Sequence, residues 1–296
     1  MGEDDWQAEQ FEEQRGHLRA VAYRMLGSVS EADDAVQDAW LRFSRAETED
    51  VTNLRGWLTT VVARVCLNML RTRRSRGEQS LDDYPRFPEP IISAAAGPDP
   101  QQEALLGDAV GLAMLVVLER LAPAERVAFV LHDVFGVPFG EIAPIVGRNE
   151  PAARQLASRA RRRMQGTTTV PDPDLARQRA VVDAFVAASR NGDFEALLAV
   201  LDPEVVVRAD RGALAPGAPT EVRGAKVVAA QALAFRQLAG GARPAVVSGA
   251  AGLVVFRGES PFAVLGFMVR GGKIVEIDIL ADSDRLRALD LSLLGD

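Results

Sequence analysis

Arginines are concentrated in two short stretches of this chain, where they could contact a phosphate backbone. Residues 53–77 hold six arginines and no acidic residue, and residues 148–163 hold six arginines and the single acid Glu150. Local blocks of one sign govern the binding of a charged polymer, because salt limits the reach of a charge to about 10 Å. The net charge of −7 for the whole chain therefore does not exclude nucleic acid as a partner.

The second arginine block lies in a predicted helix-turn-helix. A short helical pattern over 139–146 is followed by a turn containing Gly147 and by a second helix over 151–164. The second helix of this motif enters the major groove, with its N-terminal end near the bases and the rest near phosphates. DNA binding is the favoured interpretation, and an ordinary helical hairpin with a solvated basic face is the alternative. Four residues of this helix are expected to face the core: Ala153, Ala157, Ala160 and Met164.

The first arginine block lies on a predicted amphipathic helix that begins near Asn53. Its apolar stripe runs from Trp57 to Met69, and the opposite face carries Arg64, Asn68 and Arg71 at i, i+4 and i+7. The helix before it, with Ser30 as its predicted cap, has an acidic outer face, and residues 1–50 hold 13 acidic residues against 5 arginines. The two helices would present one surface to nucleic acid and another to a basic partner. For Asp34 and Asp38 alone, a merely solvated face is the alternative.

The rest of the chain divides at two linkers. Five prolines fall within residues 82–100, and a Thr- and Pro-containing stretch follows Gly166. Beyond it, helices are predicted at about 175–190, 194–201 and 225–239, with strands at 205–208, 245–248, 253–257, 263–269 and 274–280. Helices followed by a curved meander, closed by a Gly271-Gly272 hairpin, indicate an α+β cone.

Several classes of protein are disfavoured by composition. One cysteine, Cys66, rules out a disulfide framework, and two histidines, His17 and His132, are too few for a metal cluster. The N-terminus is acidic, unlike a signal peptide, and the longest apolar run, 109–118, is half of what a membrane span needs. We expect a cytoplasmic protein that needs no metal or cofactor and no membrane.

Two sequence blocks resemble a known family. EADDAVQDAWLRF within residues 18–43, followed by LRGWLTTVVARVCLNMLRTRRSR, resembles region 2 of bacterial extracytoplasmic-function sigma factors of the sigma-70 class. LERLAPAERVAFVLHDVFGVPFGEIAPIVGRNEPAARQLASRARRRM resembles their region 4, so that the likeness covers about residues 8–165. FPEP at 87–90, RQLASRARRR from Arg154 and the added C-terminal domain are similar to the subgroup with a SnoaL-like extension.

The resemblance implies a multidomain chain with two all-α sigma domains followed by an α+β NTF2-like cone. Region 2, a helical bundle, would occupy 1–80, a Pro-rich linker 81–104 and region 4, with the helix-turn-helix, 105–166. A second linker at 167–174 would precede the SnoaL-like domain at 175–296. The implied function is promoter-specific transcription initiation with core RNA polymerase, and the chain is not expected to be an enzyme.

Partners and contact residues are also implied by the resemblance. The acidic helix would dock on the clamp helices of the polymerase β′ subunit, region 4 would lie near the β flap, and promoter DNA would be read at two elements. Contacts to polymerase would come from Asp34, Gln37 and Asp38. Contacts to the −10 element would come from Arg55, Trp57, Arg64, Asn68, Arg71, Arg73 and Arg74. Contacts to the −35 element would come from Arg148, Arg154, Gln155, Ser158, Arg159, Arg161 and Arg162.

In the resembling subgroup the cone regulates activity in cis through the linker and a terminal motif. The corresponding residues here are Phe87, Pro88, Glu89, Pro90, Asp210, Arg211, Asp284 and Arg285. The glycine-rich motif expected near 210 is degenerate in this chain (209–213, ADRGA). We hypothesise that the cone packs on 87–90 and sets the spacing of the two DNA-binding modules.

Catalysis by the cone is disfavoured because residues 175–296 contain no His, Tyr, Trp or Cys. Carboxylates are left, and they could act as acid or base only if buried in the cone: Asp183, Asp202, Asp210 and Asp278. A small-molecule ligand in the cone and a purely docking role both stay open.

Two rival functions remain at this point. A ligand-sensing helix-turn-helix activator would not need the acidic stripe over 31–43, so reversing Asp34 and Asp38 would leave it active. A cyclase or isomerase with a DNA-binding appendage predicts turnover by the fragment 175–296.

Overall fold

The computed structural model describes residues 3–46, 53–75, 87–94, 112–165, 172, 174–210, 221–291 and 294. The chain forms two compact units, each made of two stretches. The first unit is Met1–Asp83 with Val117–Thr167, and the second is Tyr84–Val116 with Thr168–Asp296. No helix in these described stretches is long and apolar enough to cross a membrane.

The first half of the first unit is a bundle of three helices, as the periodicity predicts. They are α1 (Glu3–Leu26), α2 (Val29–Phe43) and α3 (Leu54–Ser75). The predicted Ser30 cap is wrong: Ser28 caps α2, its Oγ accepting the Glu31 N–H at 3.5 Å. Gly27 adopts a φ of +70°, and Ser28 is the last extended residue, so Ser30 already lies inside the helix.

The second half of the first unit contains the helix-turn-helix. Helix α4 (Leu112–Glu119) is followed by α5 (Pro123–Phe129), a π-helical turn (Val130–Val134), α6 (Phe139–Val146) and α7 (Glu150–Gln165). Gly147 terminates α6 with a φ of +69°, which favours glycine, so the tight turn was correctly predicted. Ala153, Ala157 and Ala160 are fully buried, as expected for the inner face of α7, whereas the side chain of Met164 lies outside the described residues.

The two halves of the first unit pack together, with α3 in contact with α5 and α6. The buried guanidinium of Arg126 donates to the Met25 carbonyl at 2.9 Å and to Glu119 at 2.8 Å. These bonds tie α5 to the end of α1. The ring of Phe135 also meets His17 edge-on at 5.4 Å, and Arg24 lies over it at 5.1 Å. The contacts combine apolar packing with hydrogen bonds to a buried charge.

The second unit is the α+β cone that the pattern predicts. Its helices are α8 (Leu175–Asn191), α9 (Phe194–Val200), α10 (Ala225–Ala234) and α11 (Ser283–Arg287), with a 3₁₀ segment at Arg236–Gly241. The strands are β1 (Ile92–Ala94), β2 (Leu201–Asp210), β3 (Glu221–Arg223), β4 (Ala242–Val247), β5 (Ala250–Arg257), β6 (Ser260–Arg270) and β7 (Lys273–Leu280). They form one sheet in the order β1-β4-β5-β6-β7-β2-β3, with β2 and β7 parallel and every other neighbouring pair antiparallel.

The sheet has a core on each face. On the inner face, α8, α9 and α10 pack against apolar residues of β2, β5, β6 and β7. On the outer face lie Phe87 and Ile92, together with Leu112 and Val116 from the first part of α4, which belongs to this unit. The expected linker 81–104 thus contributes strand β1, whose Ile92 is paired with Val247 of β4. Pro88 and Pro90 cannot donate ladder hydrogen bonds, which is consistent with their position before this strand.

Candidate nucleic-acid interface

Helix α7 presents a polar edge on the side opposite its buried alanines. Asn149 immediately precedes the helix, and its Oδ1 accepts the Ala152 N–H at 3.0 Å, so that the first turn is capped. The exposed residues along this edge begin one turn later and continue to the C-terminal end: Arg154, Gln155, Arg159 and Arg162. Ser158, between them, is half-buried. A capped helix with its polar edge exposed has the geometry of a recognition helix in a major groove.

The arginines of this segment fall into two groups. Arg161 bonds Asp133 at 2.5 Å and Arg163 bonds Glu125 at 2.7 Å, so both hold α7 against the rest of its domain. Arg154 pairs with Glu150 and lies over the Phe139 ring at 5.2 Å, yet stays exposed, and exposed Arg148 donates to the Gly147 carbonyl. Arg159 and Arg162 form no ion pair within the described stretches. The charge block alone does not reveal this division, because the partners are distant in sequence.

Helix α3 carries the second basic face. Arg64, Asn68, Arg71 and Arg74 are exposed on it, as the spacing predicts. Arg73 points elsewhere: it donates to the Leu26 carbonyl at 3.2 Å and pairs with Glu31. Trp57 is half-buried, with its ring 5.8 Å from that of Phe43. The structure therefore brings four of the seven candidate −10 residues onto one open surface, and Arg73 serves to join α3 to α1 and α2.

His17, which the pattern had assigned no role, positions Arg55 at the start of α3. Burial, with the nearby charges of Arg55 and Arg24, lowers the pKa of His17 to about 4, so the imidazole is neutral near pH 7. Its Nδ1 can then accept from Arg55 at 3.1 Å while Nε2 donates to Thr59 at 3.1 Å. The Thr59 hydroxyl donates in turn to the Arg55 carbonyl at 2.7 Å. Only the packing of α1 on α3 reveals this chain of bonds.

Helix α2 presents an acidic stripe with an apolar residue at its end. Asp34, Gln37, Asp38 and Leu41 share one helix face at i, i+3, i+4 and i+7. Asp34 and Gln37 are exposed, and Asp38 pairs with Arg42 at 3.0 Å. Leu41 is 45 % exposed. Its place on this surface was not predicted from the sequence, because an apolar residue at this position also fits a core stripe. The stripe combines charge with a hydrophobic contact, which suits a protein partner.

In the second unit, a clamp joins the segment before β1 to the end of the sheet. Asp210 accepts the Phe87 N–H at 3.2 Å and pairs with Arg285 at 2.5 Å. Arg285 donates to the Phe87 carbonyl at 2.5 Å, and the Phe87 ring is buried in the outer core. The structure thus brings together Phe87, Asp210 and Arg285 from three distant parts of the chain.

The other candidate regulatory residues lie around the clamp or apart from it. Pro88 and Pro90 are buried and Glu89 is half-buried. Asp284 is exposed and pairs with Arg287 at 2.7 Å, away from Phe87. Arg211 lies outside the described residues.

A charge cluster is buried under the same outer face. Arg208, 1 % exposed, pairs with Glu276, with Asp278 at 3.5 Å and with Glu221 at 3.4 Å. Burial alone would lower the pKa of Arg208, but the charges of Glu276 and Asp278 outweigh it and raise that pKa. Burial, together with the charge of Glu276, raises the pKa of Asp278 above its ordinary value of 3.8. Charged residues two positions apart on a strand, Arg208 and Asp210 in β2 and Glu276 and Asp278 in β7, were the sequence signal for this cluster.

The inner face of the cone encloses a cavity of about 440 Å³. Val207 and Ala209 of β2, with Ile277 and Ile279 of β7, line it, so the alternating Arg208, Asp210 and Asp278 point to the other face. Asp183 is exposed on α8, and Asp202 accepts the Glu204 N–H at 2.9 Å. The four carboxylates considered for acid–base chemistry are therefore absent from the described lining. The described residues also contain no metal-binding group of three His, Cys, Asp or Glu side chains.

A helix-turn-helix with an exposed basic edge, packed on a bundle with a second basic face, defines a DNA-binding transcription factor. Two family models identify the kind of transcription factor: residues 11–76 match Sigma-70 region 2, and residues 112–164 match Sigma-70, region 4. The chain belongs to the extracytoplasmic-function (ECF) RNA polymerase sigma factors, as the resemblance of the motifs indicated, and its role is that of a transcription initiation factor.

Two relatives and one solved structure are similar to this chain over nearly its whole length. The ECF RNA polymerase sigma factor SigJ of Mycobacterium tuberculosis is 38 % identical over 291 residues, covering 93 % of this chain and 92 % of the relative. A probable ECF RNA polymerase sigma factor, SigI, of the same species is 36 % identical and covers 95 % of both chains. The crystal structure of SigJ aligns with a TM-score of 0.76 at 35 % identity, covering 96 % of this chain and 99 % of that one. Two helical sigma domains followed by an α+β domain with a mixed sheet are thereby confirmed.

Proposed function

We propose that this chain recruits core RNA polymerase through α2 and reads promoter DNA through α3 and α7, under control of the NTF2-like cone. One observation carries the proposal: an acidic stripe and two arginine-rich faces lie exposed on a single helical unit. The stripe formed by Asp34, Gln37, Asp38 and Leu41 fits a basic protein surface with an apolar recess, such as the β′ clamp helices. Region 4 has the β flap as its partner. Two modest DNA readers held on one polymerase gain affinity from effective concentration.

The exposed residues of α3 and α7 divide the reading of the promoter. On α3, Arg64, Asn68, Arg71 and Arg74 contact the −10 element, with Arg55 held at the edge by His17. On α7, Arg154 and Gln155 lie near the N-terminal end, where base edges are reached. Arg159 and Arg162 lie further along and contact phosphates. Arg73, Arg161 and Arg163 position the two helices.

Replacing Arg154 with alanine should relax the preference at one base pair of the −35 element. A bidentate contact from arginine to a base contributes about 1–3 kcal/mol of discrimination, which is lost with the side chain. Arg162→Ala on the same helix is the matched control, and it should weaken binding to all sequences equally. The measurement is run-off transcription by core polymerase from a template library randomised at the −35 element. Equal losses across the library for Arg154→Ala would contradict base reading by this residue.

The cone acts in this proposal by holding the segment between the two sigma regions. Phe87, Asp210 and Arg285 form the clamp, and β1 extends the sheet of the cone. The cavity supports a binding role over catalysis, because its described lining contains no titratable side chain. We therefore propose a regulatory cone without enzymatic activity.

Breaking the clamp with Arg285→Ala should release the segment that carries Phe87. The variant removes the ion pair between Arg285 and Asp210 and the bond from Arg285 to the Phe87 carbonyl. Arg287→Ala, which removes only an exposed pair on the same helix, is the control. We expect several-fold faster hydrogen–deuterium exchange at the Phe87 N–H, which donates to Asp210 in the clamp, and a several-fold change in promoter-dependent run-off yield for Arg285→Ala alone. Identical behaviour of the two variants would exclude the clamp as a control element.

A further inference from the structure

The cavity of the cone has the size and lining of a site for an uncharged molecule. Its volume of about 440 Å³ falls within the range of roughly 300–1,000 Å³ typical of small-molecule sites. The described side chains around it are apolar except for Ser189 on α8 and Gln231 on α10. Phe235, 54 % exposed, also lines the cavity, which places an aromatic ring where the cavity meets solvent.

The lining selects against charge. An ionised group entering this cavity would lose its hydration and find no described side chain of opposite charge to replace it. The buried charges of the cone, Arg208, Glu276 and Asp278, cannot serve, because they lie on the outer face of the sheet. A neutral ligand avoids this cost and gains the burial of its apolar surface.

The two polar side chains define what the ligand must offer. The Ser189 hydroxyl donates its proton to the Phe185 carbonyl at 2.8 Å, so only its oxygen lone pairs face a ligand. The Gln231 amide can both donate and accept. A ligand hydroxyl suits both groups, since it can donate to Ser189 or Gln231 and accept from the amide of Gln231.

We propose that the cone is a receptor site for a neutral, largely apolar molecule that carries a hydroxyl group. The site lies next to the clamp in sequence and in space: Ala209 lines the cavity, and the following residue, Asp210, holds Phe87. Ala281 also lines the cavity and donates its N–H to the Asp210 carbonyl at 2.7 Å. The consequence for transcription rests on the function proposed above, whereas the binding does not.

Binding is tested on the full chain without polymerase, so that a failure of the function proposed above cannot be mistaken for a failure of the site. The neutral dye Nile red is titrated into the protein, and its fluorescence reports entry into an apolar site. Competitors of equal chain length then compare charge: 1-decanol, decanoate and decylamine at pH 7. We expect 1-decanol to displace the dye at a concentration at least tenfold lower than either charged competitor. Equal displacement by all three, or no saturable dye binding, would overturn the proposal.

Cavity-filling variants locate the site. Ala232 lines the cavity from α10, whereas Ala230 on the same helix is exposed and outside the described lining. Ala232→Trp should weaken Nile red binding at least tenfold, and Ala230→Trp should leave it unchanged. If circular dichroism shows that Ala232→Trp is unfolded, Ala239→Trp repeats the test. Ala239 lines the cavity from the 3₁₀ segment, at a less packed position. Unchanged dye binding in the folded lining variants, or equal loss in Ala230→Trp, would refute the assignment.

Discussion

Reversing Asp34 and Asp38 to lysine is expected to abolish promoter-dependent transcription through loss of core polymerase binding. The two carboxylates lie on the exposed stripe of α2 with Gln37 and Leu41, so lysines there would face the basic partner surface that the stripe fits. Like charges brought together at an interface cost several kcal/mol. We expect the affinity for core polymerase to fall about hundredfold, which corresponds to roughly 3 kcal/mol. Co-purification and fluorescence anisotropy with core polymerase measure it directly.

The control for this prediction changes the same charge on a different helix. Glu9 and Glu13 are exposed on α1, also at i and i+4, and Glu9→Lys with Glu13→Lys adds the same four positive charges. This variant should bind core polymerase within a few-fold of the unmodified chain. A transcriptionally active Asp34→Lys, Asp38→Lys variant would favour a helix-turn-helix activator that acts without this surface.

Replacing Arg208 with methionine should be among the most destabilising single changes in the cone. Glu276 and Asp278 would stay buried without the guanidinium that compensates them, and breaking a buried ion pair costs about 3–5 kcal/mol. Arg223→Met removes an exposed partner of the neighbouring Glu221 and should cost less than about 1 kcal/mol. The three tryptophans, Trp6, Trp40 and Trp57, belong to the first unit, so tryptophan emission reports the unfolding of that unit. Unfolding of the cone is the circular-dichroism transition that tryptophan emission does not share.

The cost of Arg208→Met should depend on pH in a defined direction. An acid whose pKa is raised in the folded state binds more protons when folded, so the free energy of unfolding falls as pH rises through that pKa. Burial and the charge of Glu276 raise the pKa of Asp278 even with Arg208 present. Without the opposing charge of Arg208 the pKa of Asp278 rises further. The destabilisation should therefore be largest at pH 7 to 8 and should shrink toward pH 5.

Asp278→Asn separates charge from packing in this cluster. It removes one of the two mutually repelling carboxylates and keeps the side-chain size, so it should recover much of the stability lost in Arg208→Met at pH 7. Urea denaturation of the single and double variants between pH 5 and pH 8 measures the effect. A pH-independent loss in Arg208→Met, with no recovery by Asp278→Asn, would mean that packing and not charge dominates.

The local features of this protein could be predicted from its sequence. The stripe of α3, the Gly147 turn and the buried alanines of α7 depend on residues within one or two helical turns of each other. The Gly271-Gly272 hairpin is equally local, with both glycines at positive φ. Separate blocks of acidic and basic charge indicated separate partner surfaces, because charge is read directly from residue type. The two family motifs are also contiguous blocks of sequence, and they were enough to indicate a sigma factor.

Tertiary contacts decided which of these arginines form ion pairs within the protein. Arg161, Arg163 and Arg73 belong to the basic blocks but are held by Asp133, Glu125 and Glu31, residues that no periodicity connects to them. His17 reaches Arg55 across 38 positions of the chain. Residue type gives a charge, but only the packing of one helix on another decides whether that charge faces a partner or the protein itself.

The Pro-rich segment is where sequence and structure differ most. Prolines and loss of helical periodicity indicated a linker, yet Ile92 pairs with Val247 and Phe87 bonds to Asp210, 123 positions away. The parallel register of β2 and β7 that buries Arg208 with Asp278 likewise joins residues 70 positions apart. By itself, the sequence determined the helices, their faces and the class of protein, since these depend on short-range periodicity and motif. The clamp, the buried charge cluster and the cavity depend on strand order and register, which are set only when distant segments meet in one sheet.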